Sequence, residues 1–393
     1  MTEPTHGEPR AVLTPKGLKW HHTGHPWIYR GDLQPLTEDL HGRLVRVEDP
    51  RGRFLGRAFY SHHSRVSLRF VALDDVPVDR AFWDARLRRA VAYRAEIVRD
   101  STAMRLVAGE ADGFPGLIVD RYGEFLVVQA LSAGIDRMLD QIVSMLTAEL
   151  SPRGIVARND LQVRGLEGLP REIRLVSGEQ PGELELEEGS VRYFADPMHG
   201  QKTGAFLDQR ENRIAAAGYS RGRCLDAFSY HGSFALHMAA RADEVISVEI
   251  SRDAIDRAER NAILNGISNI TFVEANAFDF LRSMDASGEK FDTIVLDPPA
   301  FARSRQDVEG ALRGYKEINL RALKILSPGG RLITSSCSYH VSEPEFLELL
   351  SEAAADVRRS VRIVEKRMQS RDHPVLLTMP ETHYLKCIVL QAD

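Results

Sequence analysis

Hydrophobic and polar positions in the C-terminal half of the chain alternate as expected for buried strands separated by helices. An apolar run around Leu225 leads through a loop into the helical stretch ALHMAAR, and EVISVEI, NITFVEANAF and FDTIVLDPPAF follow at similar distances. Strands that alternate with helices in this way are typical of a parallel α/β sheet. Ligands bind at the carboxyl edge of such a sheet. The polar residues that end these runs are therefore predicted to meet at a ligand site: Asp226, Glu249, Asn276 and Asp297.

The segment 222–234, GRCLDAFSYHGSF, has the chemistry of a strand, a turn and a helix start in a nucleotide-binding unit. Small residues in such a turn let backbone amides approach the ligand. The spacing D-x-F-x-x-x-G-x-F lacks the close-approach glycines that a dinucleotide pyrophosphate needs, which favours a smaller adenosine ligand. Glu249 follows Asp226 by 23 residues, and this spacing places its carboxylate to accept hydrogen bonds from ribose hydroxyls. A solvated charge at a strand end is the alternative for Glu249.

The N-terminal half predicts two smaller units. From Val12 to about Val71, short alternating strands separated by turns indicate a small antiparallel barrel. Residues 73 to about 185 combine a helix over Asp79–Arg99 with a β-hairpin, a second helix and a strand, which indicates a small α/β layer. An acidic linker then leads into the C-terminal α/β domain. The predicted domains are 1–72, a β-barrel, 73–185, a central α+β domain, and 186–393, the ligand-binding α/β domain.

Composition narrows the class of protein. No run approaches the ~20 apolar residues of a membrane span, and the polar N-terminus lacks the apolar core of a signal peptide; a cytoplasmic enzyme without a membrane partner is expected. The three cysteines show no paired spacing, so neither a disulfide framework nor a metal site is expected. The net charge is −5, yet residues 1–72 hold eleven Lys and Arg against seven Asp and Glu, a balance of +4. The N-terminal unit is therefore the favoured place for nucleic acid.

The ordered motifs resemble those of class I S-adenosylmethionine-dependent methyltransferases. Further segments narrow the resemblance to bacterial cytosine-C5 methyltransferases of large-subunit ribosomal RNA, and the N-terminal strands resemble that family's PUA domain, an RNA-binding module. The resemblance implies a Rossmann-like class I methyltransferase domain with an N-terminal PUA-like β-barrel and a small central α/β domain. The segments that carry it are Asp226-x-Phe228-x-x-x-Gly232, Glu249, Asn276, Asp297-Pro298-Pro299, Gly200–Gly204, Leu207–Arg210 and Ser336-Cys337-Ser338.

The resemblance also implies a cofactor, partners and site residues. The cofactor would be S-adenosyl-L-methionine, the partner 23S rRNA, and a homodimer is what the family suggests. The implied cofactor-binding residues are Asp226, Phe228, Ser229, Gly232, Glu249, Asn276, Ala277, Asp297 and Pro298. The predicted substrate residues are Lys202, Arg210, Tyr315 and Lys316, and Arg303, Arg305 and Arg313 are further candidates to hold phosphates.

Cysteine chemistry distinguishes the possible reactions. Cytosine C5 belongs to an aromatic ring and is a poor nucleophile, so its methylation needs a thiolate that adds to C6. Methylation of nitrogen needs no thiol. Cys337 follows an apolar strand at the cofactor edge, whereas Cys224 and Cys387 lie within strands and read as inert core thiols. Cys337 and Asp297 are therefore the predicted catalytic residues.

Other readings remain open at this point. A base-nitrogen RNA methyltransferase would have no use for Cys337, and a non-enzymatic RNA-binding or ribosome-assembly protein would have none for the cofactor motifs. Asp297 is expected to bind the N3 and amino edge of cytosine, with a loop-capping role as its alternative. The loop after Asp297 contains no cysteine, so the group that removes the C5 proton is not identified.

Overall fold

The computed structural model describes residues 8–302 and 304–393, without the side chain of Arg305. The described chain forms two compact units. Unit 1 comprises the residues up to Leu184 together with Ala195–Phe206 and Asp372–Thr382, and unit 2 comprises Glu185–Phe194, Leu207–Arg371 and His383–Asp393. In the described part of the chain, none of the helices combines the length and the apolar character needed to cross a membrane.

The first sheet of unit 1 has five strands in the order β1-β3-β4-β5-β2. β1 runs parallel to β3, and the other neighbours are antiparallel. Helix α1 begins with Pro15, and the side chain of Thr14 caps it by accepting a hydrogen bond from the amide of Gly17. The bounds are β1 Arg10–Val12, α1 Pro15–His21, β2 Trp27–Tyr29, β3 Leu44–Glu48, β4 Phe54–Tyr60 and β5 Val66–Ala72.

The second sheet of unit 1 has the order β10-β9-β8-β7-β6, and only β8 and β9 are parallel. The two sheets share an apolar core: the ring of Phe59 from β4 stacks on that of Trp83 from α2, with centroids 6.1 Å apart. The bounds are α2 Arg80–Ile97, β6 Ala103–Ala108, β7 Leu117–Tyr122, β8 Phe125–Ala130, α3 Ala133–Arg137, α4 Leu139–Leu150, β9 Gly154–Asn159, α5 Val163–Leu166 and β10 Glu172–Gly178.

A two-stranded sheet of β11 and β12 precedes the large sheet of unit 2, whose seven strands have the order β15-β14-β13-β16-β17-β19-β18. The bounds of the strands are β11 Leu184–Glu188, β12 Val191–Ala195, β13 Arg223–Ala227, β14 Glu244–Glu249, β15 Ile270–Glu274, β16 Phe291–Leu296, β17 Leu326–Ser336, β18 Val361–Met368 and β19 Lys386–Ala392. The bounds of the helices are α6 Arg210–Tyr219, α7 Ser233–Ala239, α8 Arg252–Leu264, α9 Ala277–Ser287, α10 Val308–Ile325 and α11 Glu343–Asp356.

The direction of these strands positions the site. The first five strands of the order, β15 to β17, are parallel, while β19 is antiparallel to both β17 and β18. The carboxyl ends of β13, β14, β16 and β17 therefore meet at one edge of the sheet, together with the amino end of β19. The predicted parallel α/β sheet is confirmed. An antiparallel hairpin of β18 and β19 closes it, with β19 next to β17.

Candidate active site

The loop after β13 holds a backbone conformation that few side chains adopt. Phe228 and Tyr230 have φ angles of 68° and 51°, and Gly232, just before α7, has φ 78°. The amide of Ser229 donates to the carbonyl of Val248 at 3.0 Å, which ties the loop to β14. A Cβ atom at Gly232 would lie 3.1 Å from the Cβ of Ala258. Left-handed backbone and close packing therefore both explain the glycine.

The carboxylate of Glu249 organises the neighbouring backbone at the end of β14. One oxygen accepts from the amide of Tyr230 at 2.9 Å, and the other accepts from the amides of Ile250 and Ser251 at 2.9 and 3.0 Å. Glu249 is only partly buried, and a carboxylate has about four lone-pair positions. The neighbouring backbone thus orients the carboxylate, which retains capacity to accept a further hydrogen bond.

Asp226 is completely buried at the end of β13. Its Oδ2 accepts from the amide of Ala235 in α7 at 2.9 Å, and its Oδ1 has no hydrogen-bond partner among the described residues. Burial, helped by Asp297 and Glu249, raises the pKa of Asp226 well above that of an ordinary aspartate. An unpartnered buried carboxylate oxygen beside the loop is the kind of atom that a polar ligand satisfies, so this edge fits the hydrogen-bonding ribose and amine groups of S-adenosylmethionine.

Asn276 and Ala277 begin α9 at the same edge. The Asn276 side chain accepts from the amide of Phe278 at 2.9 Å, so it is an N-cap, and it is exposed, whereas Ala277 is buried. The ring of Phe278 packs edge-on against Phe228, with centroids 6.0 Å apart. The two rings form an apolar surface next to the loop after β13.

Asp297 and Pro298 follow β16. The side-chain amide of Gln209 donates to Asp297 Oδ1 at 2.7 Å, and Gln209 in turn accepts from Asn212 at 2.6 Å. Asp297 is partly exposed and Pro298 is buried. A carboxylate held in this way is oriented before any ligand arrives, because the amide fixes one of its two oxygens.

Cys337 follows β17 directly and is partly exposed. Its Sγ lies 3.9 Å from the carbonyl oxygen of Pro298, so the thiol and the Asp297 loop are neighbours. The hydroxyl of Ser338 accepts from the amide of Ala302 at 3.2 Å and lies 2.9 Å from the Tyr315 hydroxyl. These bonds hold the segment that carries the thiol.

The other two cysteines are different in kind. Cys224 and Cys387 are fully buried in the apolar core of the sheet. Burial raises the pKa of Cys224 to about 11 and that of Cys387 to about 12. Both stay protonated near neutral pH, as the sequence predicts for core thiols, and among the three cysteines only Cys337 is accessible.

The predicted substrate residues occupy diverse positions. Lys202 belongs to unit 1, is exposed, and lies with its Nζ 4.5 Å from the ring centroid of Phe206. Arg210 is buried, with only 1% of its surface exposed. Lys316 pairs with Glu352 and Asp356 on α11. Arg303 and the side chain of Arg305 lie outside the described residues, and Arg313 pairs with Glu309.

Tyr315 has a position that the sequence did not indicate. It is fully buried, with its ring 4.6 Å from that of Phe301 and edge-on to Phe346. Its face is therefore not presented to a nucleobase. The hydroxyl bonded to Ser338 makes Tyr315 a support for the segment after β17.

Two residues that face the site were not singled out from the sequence. The sequence indicates Gln209 only as part of the segment Leu207–Arg210, and it indicates no role for Lys386. A lysine at the start of an otherwise apolar strand, KCIVL, is the signal for the second, because a lysine is rarely buried without a specific partner. Gln209 carries no comparable signal in the pattern. Among the described residues, no group of three or more His, Cys, Asp or Glu side chains is arranged to hold a metal ion.

Comparison with known proteins identifies two domains and the fold of the chain. Residues 11–72 match the model of a PUA-like domain, and residues 220–377 match that of a methyltransferase domain. The structure is similar to that of SMU.776, described as a methyltransferase and complexed with SAH, with a TM-score of 0.85, 20% identity, and coverage of 98% of this chain and 100% of that one. A second structure, described as a SAM-dependent methyltransferase from Streptococcus mutans, gives a TM-score of 0.82 at 20% identity, with the same coverage.

Fold, site and domain matches define a class I S-adenosylmethionine-dependent methyltransferase that carries a PUA-like domain. The chain is 40% identical over 371 residues to ribosomal RNA large subunit methyltransferase I of Yersinia pseudotuberculosis, serotype O:1b, covering 92% of this chain and 94% of that protein. The protein of that name from Yersinia pestis gives the same values. The chain therefore belongs to the ribosomal RNA large subunit methyltransferase I family, and its cofactor is S-adenosylmethionine.

Proposed function

We propose that this protein methylates C5 of a cytosine in 23S ribosomal RNA through a covalent adduct of Cys337. The observation that carries the proposal is the position of Cys337: it is the accessible cysteine, it follows β17, and its sulfur lies 3.9 Å from the carbonyl of Pro298. A methyltransferase that modifies nitrogen has no use for a thiol there. The name of the relatives supports large-subunit ribosomal RNA as the substrate.

The chemistry follows from the weakness of cytosine C5 as a nucleophile. The Cys337 thiolate adds to C6, the C5–C6 double bond breaks, and its electron pair makes C5 nucleophilic. S-adenosylmethionine, when bound, supplies the electrophilic methyl group. Once C5 carries the methyl group, a base takes the C5 proton, the double bond forms again, and the S–C6 bond breaks to release the thiolate.

Asp297 would orient the base. Its carboxyl group is aimed by Gln209 and followed by a proline that restricts the loop. A carboxyl group at this position can hydrogen-bond the N3 and amino edge of cytosine and support the charge that develops as sulfur attacks C6. Gln209 would act through Asp297, by fixing the rotamer that meets the base.

The PUA-like domain would supply much of the RNA affinity. Its surface has a groove, here the PUA-like groove, lined by Lys16, Lys19, Trp20, Thr23, Tyr29 and Asp32. Cations beside aromatic rings suit an unpaired RNA segment, because the cations meet phosphates and the rings meet bases. The target cytosine would likewise have to be unpaired or flipped out. An enzyme of this substrate class works in the cytoplasm; a homodimer remains what family resemblance suggests.

Replacement of Cys337 by alanine tests the mechanism. Cys337→Ala should still bind S-adenosylmethionine, since a small residue replaces another small one, and it should lose methyl transfer because C5 is never activated. The measurement is nucleoside mass spectrometry of 23S rRNA after incubation with enzyme and cofactor. Cys224→Ala is the matched control: it should lose stability through the cavity it leaves in the core, while 5-methylcytosine still forms.

A trapping experiment separates the alternatives. RNA that contains 5-fluorocytosine should form a stable covalent complex with the wild type, because fluorine at C5 cannot leave as a proton, and the adduct should map to Cys337. Full activity of Cys337→Ala, or a product methylated on a base nitrogen, would contradict the proposal and favour the nitrogen-methylating enzyme. Absence of any methylated product would favour an RNA-binding protein without catalysis.

A further inference from the structure

A buried lysine lies next to the segment that carries Cys337. Lys386 begins β19 and pairs with Ser336, the last residue of β17. Its Nζ donates to the carbonyl of Ser338 at 2.7 Å and to that of Tyr384 at 3.0 Å, and only 3% of the residue is exposed. Lys386 thus contacts the residues on both sides of Cys337, one through the strand pairing and one through its ammonium group.

The surroundings of Lys386 are unusual for a lysine. Burying a cation without an opposite charge costs several kcal/mol or changes its protonation. Burial lowers the pKa of Lys386 to about 8, and the charged groups that act against this are Cys337 first, then Glu343 and Glu345 on α11. The two glutamates already have partners, since Glu343 pairs with Lys366 and Glu345 with Ser342. The negative charge that acts most strongly on Lys386 is therefore that of the Cys337 thiolate.

We propose that Lys386 is the positioning residue that keeps Cys337 ionised, through an ammonium–thiolate pair across the start of β19. In this step the S–H bond of Cys337 breaks, its electron pair stays on sulfur, and the proton passes to solvent, while Lys386 keeps its own proton and charge. A nearby cation favours a thiolate, which is the nucleophilic form of cysteine. The inference rests on the proposed function, because the attack on cytosine C6 is the step that needs a thiolate.

Other groups face the pair. The hydroxyl of Tyr315 lies on the α10 side, where the charge of Cys337 raises the pKa of Tyr315 in addition to the larger effect of burial. Tyr315 is therefore a neutral donor near neutral pH and adds no charge to the sulfur's surroundings. Glu343 and Glu345 on α11 oppose the thiolate but stabilise the ammonium. Among these described groups, Lys386 supplies the positive charge beside the segment that carries Cys337.

The test is the pH dependence of alkylation of Cys337 by iodoacetamide, on the full-length protein without RNA, with the modified peptide quantified by mass spectrometry. Only the thiolate reacts, so the midpoint reports the ionisation of Cys337. In the wild type the midpoint should lie about one pH unit or more below the ordinary cysteine value of ~8.5. Lys386→Met should raise it by about one unit or more, and Lys386→Arg, which retains the charge, should restore most of the difference.

Lys324→Met is the matched control, because Lys324 is an exposed lysine near the end of α10 that pairs with Asp285. Its midpoint should equal that of the wild type. A purely structural lysine, which only satisfies two carbonyls, would give the same midpoint in Lys386→Met as in the wild type, and that result would overturn the inference.

The wild-type protein keeps the inference testable when the variant does not fold. If Lys386→Met does not fold, as judged by circular dichroism and cofactor binding, the wild-type midpoint decides: a low value supports the ion pair, and a value at or above ~8.5 overturns it. The alkylation assay needs no methyl transfer, so the inference and the proposed function fail separately. An active Cys337→Ala refutes the function, whereas an unchanged midpoint in Lys386→Met refutes only the role of the lysine.

Discussion

Asp226 shows at the scale of one residue how a binding site is maintained at the expense of stability. Its side chain is fully buried, one carboxylate oxygen has no partner among the described residues, and its pKa is raised by burial. A group whose folded-state pKa is raised costs nothing below its unfolded pKa of ~4, and it destabilises the protein increasingly as the pH rises toward the folded value.

Asp226→Asn should therefore stabilise the unliganded protein, by an amount that is small near pH 4 and grows as the pH rises. The asparagine keeps an acceptor for the amide of Ala235 and carries no charge to desolvate. Thermal unfolding of both proteins across this pH range measures the difference. Asp279→Asn, on the exposed face of α9, is the control and should show no such trend. A constant or falling difference would contradict the argument.

The positions of these site residues along the chain are predictable from the sequence, but the directions of their side chains are not. Asp226, Glu249, Asn276 and Asp297 were found because each ends a strand or begins the helix after it, and the parallel sheet then brings their positions together. Whether a side chain points into a site or into the core depends on packing that no local pattern contains. Tyr315 is predicted from the sequence to contact the substrate, and in the structure it is a core residue.

At the scale of an element, the start of α7 depends on one backbone conformation. Gly232 has φ 78°, and a side chain there would be strained and close to Ala258. Gly232→Ala should lower the stability of the fold by about 1–2 kcal/mol, the usual cost of a left-handed residue with a side chain. The substitution should also lower the affinity for S-adenosylmethionine, because the loop before α7 would shift. Urea unfolding and calorimetry with the cofactor are the measurements.

The chain contains a matched control for this change. Gly218 lies within α6, and a Cβ atom there would meet no atom within 4 Å. Gly218→Ala should stabilise the protein by up to about 1 kcal/mol, because alanine loses less backbone entropy in a helix than glycine does. Equal effects of the two substitutions would mean that the left-handed backbone of Gly232 is of no consequence.

The elements themselves were largely predictable. The apolar runs predicted the strands of the seven-stranded sheet. The helix predicted over Asp79–Arg99 is α2, which begins at Arg80 with Asp79 as its N-cap. The insertion of β19 between β17 and β18 was not predictable, because the period of two in a strand fixes its buried face but not its neighbours. That pairing is what brings Lys386 to Ser336, so the part of the site that the sequence missed depends on topology.

At the scale of the whole molecule, the N-terminal sheet is part of a larger unit. Phe59 from the first sheet and Trp83, with which it stacks, are buried in one core together with residues of the second sheet. Residues 1–72 are predicted from the sequence as one domain, and this core joins that domain to the residues that follow it. Deleting residues 1–72 would expose apolar surface in the rest of unit 1, so charge substitutions are the sharper way to test the RNA-binding role.

Binding of 23S rRNA should be salt-sensitive through cations of the PUA-like groove. Lys19 is exposed in that groove, and the exposed Arg65 acts electrostatically on Tyr29, which also lines it. Each phosphate contact contributes about 0.7–0.9 to the slope of log affinity against log salt. The double change of Lys19 and Arg65 to methionine should therefore reduce that slope by about 1.5, with S-adenosylmethionine affinity unchanged.

The control for this last prediction is a pair of lysines elsewhere. Lys290 directly precedes β16, and Lys324 lies near the end of α10, just before β17. Both are exposed, and both lie at the amino ends of these strands, opposite the edge where the cofactor is expected. Their double change to methionine removes the same charge from the molecule but not from the PUA-like groove. If both double variants reduce the slope equally, net charge and not the groove governs RNA binding; if neither does, the phosphates are held elsewhere on the molecule.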